Sequence, residues 1–473
     1  MTASVRAVAL RILESVGDGR SRRFAVEIID EVDRRDSLSP RDRRFLTELV
    51  LGVLRHLRTL DTLIAGYSRV KVGELHPRVR GALRIALYQI VYLDGIPPHA
   101  AVSESVNLVR RKPHHRAFVN AVLRHLLREM KKVDLAEDRG GASPRRRLEV
   151  HGRRVCFFPR DVFADPERER IAHLGQVYSQ PDWLVWRWQK RYGEAQLLQL
   201  FEESNARPST HLRVNGRRAS RAEVLERLQH EGVPAVEGDG PLCIEVQGPT
   251  SALLRSRTFK KGLVTVQGAA AQKVVPLLDP RAGESVLEIG AAPGAKATHL
   301  AEHMGGSGGG SGLIVAVDRD LLRLARVREA CGRLGHTSIR CVAADGRQLP
   351  FFSLEGRFDA VLVDAPCSNT AVLARRPEAR WRLGPESLEA LAELQLALLL
   401  AAAPVLRPGG RLCYSTCSLE PEENAGLIER FRGERSDFEV LSEELETPSA
   451  GRGDGGYRCL LRRSPERPVE GTS

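Results

Sequence analysis

Two of the eight cysteines in this 473-residue chain stand where sulfur could do chemistry. Cys367 closes the run Val361-Leu-Val-Asp364-Ala-Pro-Cys367, and Cys417 sits in Tyr414-Ser-Thr-Cys-Ser418. Each follows an apolar stretch of strand length, so both are expected at the same end of one sheet. The other six, Cys156, Cys243, Cys331, Cys341, Cys413 and Cys459, read as small buried hydrophobes. A thiolate at an open sheet edge is a nucleophile. Attack on C6 of a cytosine breaks the aromatic system and makes C5 enamine-like, able to take a methyl group. A carboxylate such as Asp364, hydrogen-bonded to the base, can favour the protonated adduct. Methylation of an amino group needs no sulfur, and more often accompanies an Asn/Asp-Pro-Pro-aromatic turn than Asp364-Ala-Pro-Cys367.

A cofactor pocket is expected at the same sheet edge. In an open α/β sheet, ligands bind beyond the carboxyl ends of the strands. Val286-Leu-Glu-Ile289 runs into Gly290, Ala291, Ala292, Pro293, Gly294, Ala295 and Lys296, then a helix over Ala297–His303. Small residues there let backbone N–H groups and the helix N-terminus approach a charged group. The next strand, Val315-Ala-Val-Asp318, ends on an acid placed for both hydroxyls of a ribose. Asp345, after Ala343-Ala, is placed for an adenine amino group, and Asp364 ends the fourth strand. Any one of these acids could be an ordinary helix cap. Three at successive strand ends describe a pocket for a nucleoside with a charged tail.

The elements that must hold these residues follow from periodicity. Strands are expected at Ser285–Ile289, Leu313–Val317, Ser338–Ala343, Ala360–Val363 and Arg411–Tyr414, the last preceded by the turn Arg407-Pro-Gly-Gly410. Helical patterns separate most of them, which predicts a doubly wound, mostly parallel sheet. The run Gly305-Gly-Ser-Gly-Gly-Gly-Ser-Gly312 is expected as a flexible surface loop. Residues 1 to 130 instead carry repeated stripes spaced three and four apart, such as Phe45, Leu46, Leu49, Val50, Val53 and Leu54, and predict an all-helical bundle. Residues 131–170, with Asp138-Arg-Gly-Gly-Ala-Ser-Pro and Arg145–Arg147, read as a polar linker. Residues 171–261 form a second part and 262–465 the catalytic part. In the second part, Trp183, Trp186 and Trp188 alternate with Arg187, Lys190 and Arg191. Such a helix can stack bases and bind phosphates, although Trp183 and Trp186, three apart, also fit a core.

Composition bounds the partners. Hydrophobic residues make up 42%, too many for a disordered chain, and the formal charge of +12 suits a polyanion such as RNA or DNA as well as plain solubility. The start, Met1–Val16, reads as an amphipathic helix and not a secretory signal. The longest apolar stretch, Leu396–Leu406, is too short to span a bilayer and contains Pro404. With no CxxC pair, neither disulfides nor a zinc site is expected. A cytoplasmic protein with no metal and no membrane partner is the expectation.

The residues Asp364-Ala-Pro-Cys-Ser368 and Ser415-Thr-Cys-Ser-Leu-Glu-Pro-Glu-Glu-Asn424 together resemble the RNA cytosine-C5 methyltransferase family that includes Sun/RsmB. Arg375-Arg-Pro-Glu-Ala-Arg-Trp381 and Gly453-Asp-Gly-Gly-Tyr457 resemble further family segments. Ser179-Gln-Pro-Asp-Trp-Leu184 and Leu212-Arg-Val-Asn215 are similar to its small α/β RNA-binding subdomain. Ile96-Pro-Pro-His-Ala-Ala-Val-Ser-Glu-Ser-Val106 and Phe118-Val-Asn-Ala-Val-Leu-Arg124 resemble the NusB antitermination domain. The resemblance spans nearly the whole chain. It implies a NusB-like RNA-binding bundle, the RNA-binding subdomain and a Rossmann-like catalytic domain that uses S-adenosylmethionine. It implies Cys417 as the nucleophile and Cys367 as the residue that assists product release, with Gly290–Lys296, Asp318, Asp345 and Asp364 at the cofactor. The NusB-like bundle implies small-subunit (16S) ribosomal RNA as substrate; a monomer is expected. The motifs themselves also accommodate an enzyme of transfer RNA, or a catalytically weak RNA-binding assembly protein. Glu288, Gly290, Ala295 and Gly268 depart from the family, standing where it has Asp, Cys, Gly and Asp. Ala295 would be strained only if its φ were positive, and Gly268 removes a polar group.

Overall fold

The stripes of the first 130 residues lie on the helices α1 (Val5–Gly17), α2 (Ala25–Asp36), α3 (Pro40–Arg55), α4 (Leu57–Tyr67), α5 (Pro77–Tyr92), α6 (Pro98–Leu108) and α7 (Pro113–Glu129). Their apolar faces share one core. α5 is buried at nearly every position from Gly81 to Tyr92, as an all-round hydrophobic helix must be, and Arg84 alone breaks the run. α3 starts where the sequence instructs it to. Ser39 caps it by accepting from Asp42 N, and Pro40 fills the first turn. The computed structural model describes residues 4–17, 23–138, 140–248, 250–305, 312–349, 354–449 and 453–465. Most of the glycine-serine run expected as a loop, 306–311, lies outside them.

The segment expected as a polar linker is instead folded. β1 (Lys131–Asp134), β2 (Arg147–Val150) and β3 (Arg154–Phe157) form an antiparallel sheet in the order β1-β3-β2. Leu148, Val150, Cys156, Phe158 and Phe163 complete the core of the helical bundle. Burial of these side chains, worth about 1.5–3 kcal/mol for each large one, outweighs the polar character of the residues between them. α8 (Arg170–Val177), α9 (Asp182–Arg191) and α10 (Glu194–Asn205) follow. They also belong to the first compact unit, which comprises residues 1–207 and 373–383. The boundary expected near residue 171 is therefore not where the chain divides. Thr59 on α4 donates to Gln176 O on α8 at 2.7 Å, one of the bonds holding these helices in the first unit.

The second unit comprises residues 208–372 and 384–473. It opens with β4 (Thr210–Val214), α11 (Arg221–His230), β5 (Ala235–Glu237), β6 (Cys243–Val246), short helices at Thr250–Arg255 and Arg257–Lys260, and β7 (Val264–Val266). The antiparallel order β5-β6-β4-β7 with this βαββαβ sequence is ferredoxin-like. A seven-stranded sheet follows, built from β8 (Ser285–Ile289), β9 (Leu313–Asp318), β10 (Ile339–Ala343), β11 (Phe358–Asp364), β12 (Leu406–Thr416), β13 (Phe438–Glu446) and β14 (Gly456–Arg463). Its order is β10-β9-β8-β11-β12-β14-β13, parallel except for β14.

Alternate residues of the central strands enter opposite cores. Val286, Ala360 and Leu362 pack with Leu300 and Leu324, whereas Leu287, Ile289, Val361 and Val363 pack with Leu396 and Leu399. Burial on both faces explains the unbroken apolar run Ala360–Val363 of β11, whereas Glu288 interrupts that of β8. β12 is longer than expected. Its pairing with β11 passes from Phe358↔Leu406 to Ala360↔Arg411, so the Arg407–Gly410 turn bulges out of a continuous strand. The C-terminal part is thus the doubly wound, mostly parallel α/β sheet that the sequence predicted. Among the described residues, no helix is long and apolar enough to cross a membrane.

Candidate active site

Strand order reverses between β8 and β11, and the crevice beyond their carboxyl ends is where such sheets bind ligands. The loop 290–294 lies there. Gly290 has φ +82°, and a Cβ on it would lie 2.1 Å from Asp364 O, so only glycine fits. This explains the departure at 290: whatever its relatives carry, this backbone excludes a side chain. Ala295 begins the helix Ala295–Met304 and is not among the residues with positive φ, so alanine is unstrained there. Gly268 has Asp454 Oδ2 3.4 Å from where a side chain would begin, so a carboxylate stands beside the position although residue 268 supplies none.

The acids at the strand ends differ in what they hold. Asp318 is buried and accepts from Ala292 N at 3.2 Å and Asp320 N at 2.9 Å, one bond on each oxygen, which leaves lone pairs for a further donor. Asp345 is engaged locally. Arg347 bonds both of its oxygens, the shortest contact being 2.6 Å, and holds its carboxyl at about 2. Asp364 Oδ2 lies 2.7 Å from Lys296 Nζ, and Oδ1 accepts from Ser415 Oγ at 3.1 Å. Burial works to lower the Lys296 pKa, but Asp364, Glu288 and Cys417 together raise it above its ordinary value. Glu288 is fully buried, and neither carboxyl oxygen has a hydrogen-bond partner among the described residues. Burial first, then the nearby Asp364, pushes its pKa well above the usual carboxylate range.

The two cysteines meet. Cys367 Sγ and Cys417 Sγ are 2.9 Å apart, and Cys417 N donates to Cys367 Sγ at 3.2 Å. The bond to Cys417, then burial, pushes the Cys367 thiol well above its ordinary pKa. Cys417 Sγ also lies 3.3 Å from Asn369 Oδ1, as a donor to it. A buried polar lattice clamps the two cysteine loops together. Glu423 accepts from Ser368 N at 2.8 Å, from Gln395 Nε2 at 2.9 Å and from Ser418 Oγ. Thr370 Oγ1 accepts from Leu419 N at 2.8 Å, and Ala371 N donates to Cys417 O at 3.1 Å.

Asn369 and Glu423 were not singled out by sequence reasoning. The signal available was position alone, since Asn369 lies two residues after one cysteine and Glu423 six after the other. Asn369 takes φ +62°, which asparagine tolerates better than most residues, and donates to Cys367 O at 2.6 Å. The tryptophan helix divides differently from expectation. Trp188 is fully buried, whereas Trp186 is 49% exposed with Lys190 Nζ 3.5 Å from its ring centre. Among the described residues, no cluster of three His, Cys, Asp or Glu side chains is arranged to hold a metal ion.

Comparison with known proteins covers almost the entire chain. The model of the 16S rRNA methyltransferase RsmB/F family matches residues 275–466, that of the NusB family 3–128, and that of the RsmF/B-like ferredoxin-like domain 180–252. The probable ribosomal RNA small subunit methyltransferase B of Synechocystis sp. is 35% identical over 446 residues, covering 94% of this chain and 92% of that protein. Its counterpart in Bacillus subtilis is 32% identical over 449 residues, with the same coverage of 94% and 92%. The crystal structure of the protein PH0851 shares the fold, with a TM-score of 0.74 at 24% identity over 98% of this chain and 100% of that one.

Proposed function

Because the chain belongs to the ribosomal RNA small subunit methyltransferase B family, we propose that it methylates C5 of a cytosine in small-subunit ribosomal RNA, with S-adenosylmethionine as donor and Cys417 as covalent nucleophile. The observation that carries this reading is the 2.9 Å approach of Cys367 Sγ and Cys417 Sγ beyond the carboxyl ends of β11 and β12.

The residues present fit the cofactor. Gly290 leaves a cradle that a Cβ would fill, Asp318 keeps lone pairs for ribose hydroxyls, and Glu288 holds a buried carboxyl without a partner among the described residues. Gly290–Lys296 would hold the charged tail, and Asp345 would face the adenine. When bound, S-adenosylmethionine supplies an electrophilic methyl group for C5.

The chain's own residues perform the rest. The Lys296 cation and Cys417 interact, which places a positive charge near the attacking sulfur. Cys417 Sγ forms a bond to C6, and the displaced electron pair passes toward C5. Asp364, oriented by Lys296 and Ser415, lies against the base and stabilises the protonated ring of the adduct. Once Cys417 is bonded to carbon, the Cys367 thiol passes its own proton to water, and the resulting thiolate takes the C5 proton. Loss of that proton lets the C6–S bond break, restoring the ring and the Cys417 thiolate. The test is incubation of the full chain with S-adenosylmethionine and, in separate reactions, small-subunit ribosomal RNA and transfer RNA, then bisulfite sequencing. A newly protected cytosine is the expected result. Protection confined to transfer RNA would move the substrate, and no protection anywhere would remove the activity.

A further inference from the structure

Cys417 is held by a residue with no step of its own in the reaction. Asn369 Oδ1 lies 3.3 Å from Cys417 Sγ, with the thiol as donor. The amide can face only one way. Its Nδ2 donates to Cys367 O at 2.6 Å, and a backbone carbonyl only accepts, so the nitrogen faces Cys367 and the oxygen faces Cys417. One side chain, on a residue only 7% exposed, thus bridges the two cysteine loops.

The backbone is bent to bring that side chain there. Asn369 takes φ +62°, which glycine adopts freely and asparagine more readily than most residues. The turn is fixed on both sides: Val372 N donates to Asn369 O at 3.0 Å, and Ser368 N donates to Glu423 at 2.8 Å. Glycine would satisfy this turn equally well. What glycine could not supply is an oxygen against the sulfur.

That oxygen orders the protons of the pair. A thiol carries one proton, and Cys417 gives its own to Asn369. The proton between the two sulfurs, 2.9 Å apart, is then that of Cys367. Cys367 Sγ in turn accepts from Cys417 N at 3.2 Å. The bonds therefore run in one direction, from Cys417 N to Cys367, from Cys367 to Cys417, and from Cys417 to Asn369. We propose that Asn369 is the positioning residue of the nucleophile: its side-chain oxygen aims Cys417 Sγ and holds that thiol protonated in the resting protein. This rests on the reading of Cys417 as nucleophile. The charged and titratable groups about Cys417 are Cys367, Lys296 and, through its bond to Lys296, Asp364; Glu423 and Tyr414 interact with Cys367. A change at Asn369 leaves all of them in place.

The test uses the full chain without RNA, alkylated with iodoacetamide across a range of pH. Mass spectrometry of the peptides separates Cys417 from Cys367. Asn369→Gly suits the backbone and removes the acceptor. A bond made to the neutral thiol disfavours its ionised form, so the pH midpoint of Cys417 alkylation should fall. Asn369→Asp is also tolerated at this φ. It sets a carboxylate against the sulfur, and the midpoint should rise. A residue that only shaped the loop would not give opposite shifts. With RNA and S-adenosylmethionine, Asn369→Gly should lower kcat roughly three- to ten-fold on the alkaline plateau, the scale of one hydrogen bond, with the KM for RNA unchanged. Midpoints that coincide in all three proteins, or that move the same way in both variants, overturn the proposal while methylation by the unsubstituted protein continues. A Cys417→Ala protein that still methylates RNA would instead overturn the nucleophile reading, and the proposal with it, whatever the midpoints.

Discussion

Arg213, whose side chain has no exposed surface, forks both oxygens of the Glu302 carboxylate at 2.9 and 2.8 Å. It also donates to Ala295 O at 2.7 Å, and so ties β4 of the ferredoxin-like sheet to the helix that starts at the end of the cofactor loop. Removing one partner of such a pair strands the other charge. Arg213→Ala should therefore cost about 3–5 kcal/mol of stability, read from urea unfolding. Replacing both partners, Arg213→Met with Glu302→Leu, should cost markedly less. A cost near zero for the single variant would show that the pair positions nothing.

Cofactor affinity should depend unequally on the acids. Asp318→Ala removes a charge-assisted bond to a buried ribose, worth about 1.5–3 kcal/mol, or roughly 10- to 150-fold in Kd by calorimetry. Asp345→Asn should cost less, because the Asp345 carboxylate is already forked by Arg347. Unchanged affinity in Asp318→Ala would remove that residue from the pocket.

The sequence made the catalytic end legible because motif and period coincide there. Apolar runs ending on Asp318 and Asp364 mark strand ends, and the two cysteines follow strands that prove adjacent, β11 and β12. The sheet at 131–157 was not legible. Its strands are only four residues long, and in Arg147-Leu-Glu-Val150 the alternation is too brief to separate from a charged linker. Asn369 and Glu423 were hidden for another reason. Their role depends on a lattice between segments some fifty residues apart, such as Ser368 N to Glu423. The local chemistry of Asp345 was likewise hidden, because Arg347 two residues on reads as an ordinary surface cation.

Glu288 gives a pH signature. Its folded pKa is raised, so the folded state keeps a proton that the unfolded state releases above about 4.5. Its contribution to stability is therefore intact below that pH and is lost as the pH rises toward the folded value. Glu288→Gln cannot titrate. Its urea midpoint should gain on that of the unsubstituted protein between pH 5 and pH 8. A constant difference across that range would mean that Glu288 is ionised in the fold.

RNA binding should be steeply salt-dependent through the α6–α7 turn. Replacing Arg110, Arg111, Lys112 and Arg116 with Gln should weaken binding across RNA sequences. The slope of log K against log salt should fall by about 0.7–0.9 for each phosphate that the variant no longer neutralises. Unchanged slope with unchanged affinity would place the RNA elsewhere on the protein.

The division of labour between the two sulfurs is the centre of the account. Elimination cannot restore the ring until the C5 proton has left, so a protein lacking the base should stall with RNA still attached. The direct measurement is denaturing electrophoresis of radiolabelled RNA after incubation with Cys367→Ala, with and without S-adenosylmethionine. We predict a covalent complex through Cys417 that forms only with the cofactor, and neither adduct nor methylation with Cys417→Ala. A trapped complex in Cys417→Ala and none in Cys367→Ala would reverse the roles and contradict the assignment of Cys417 as nucleophile.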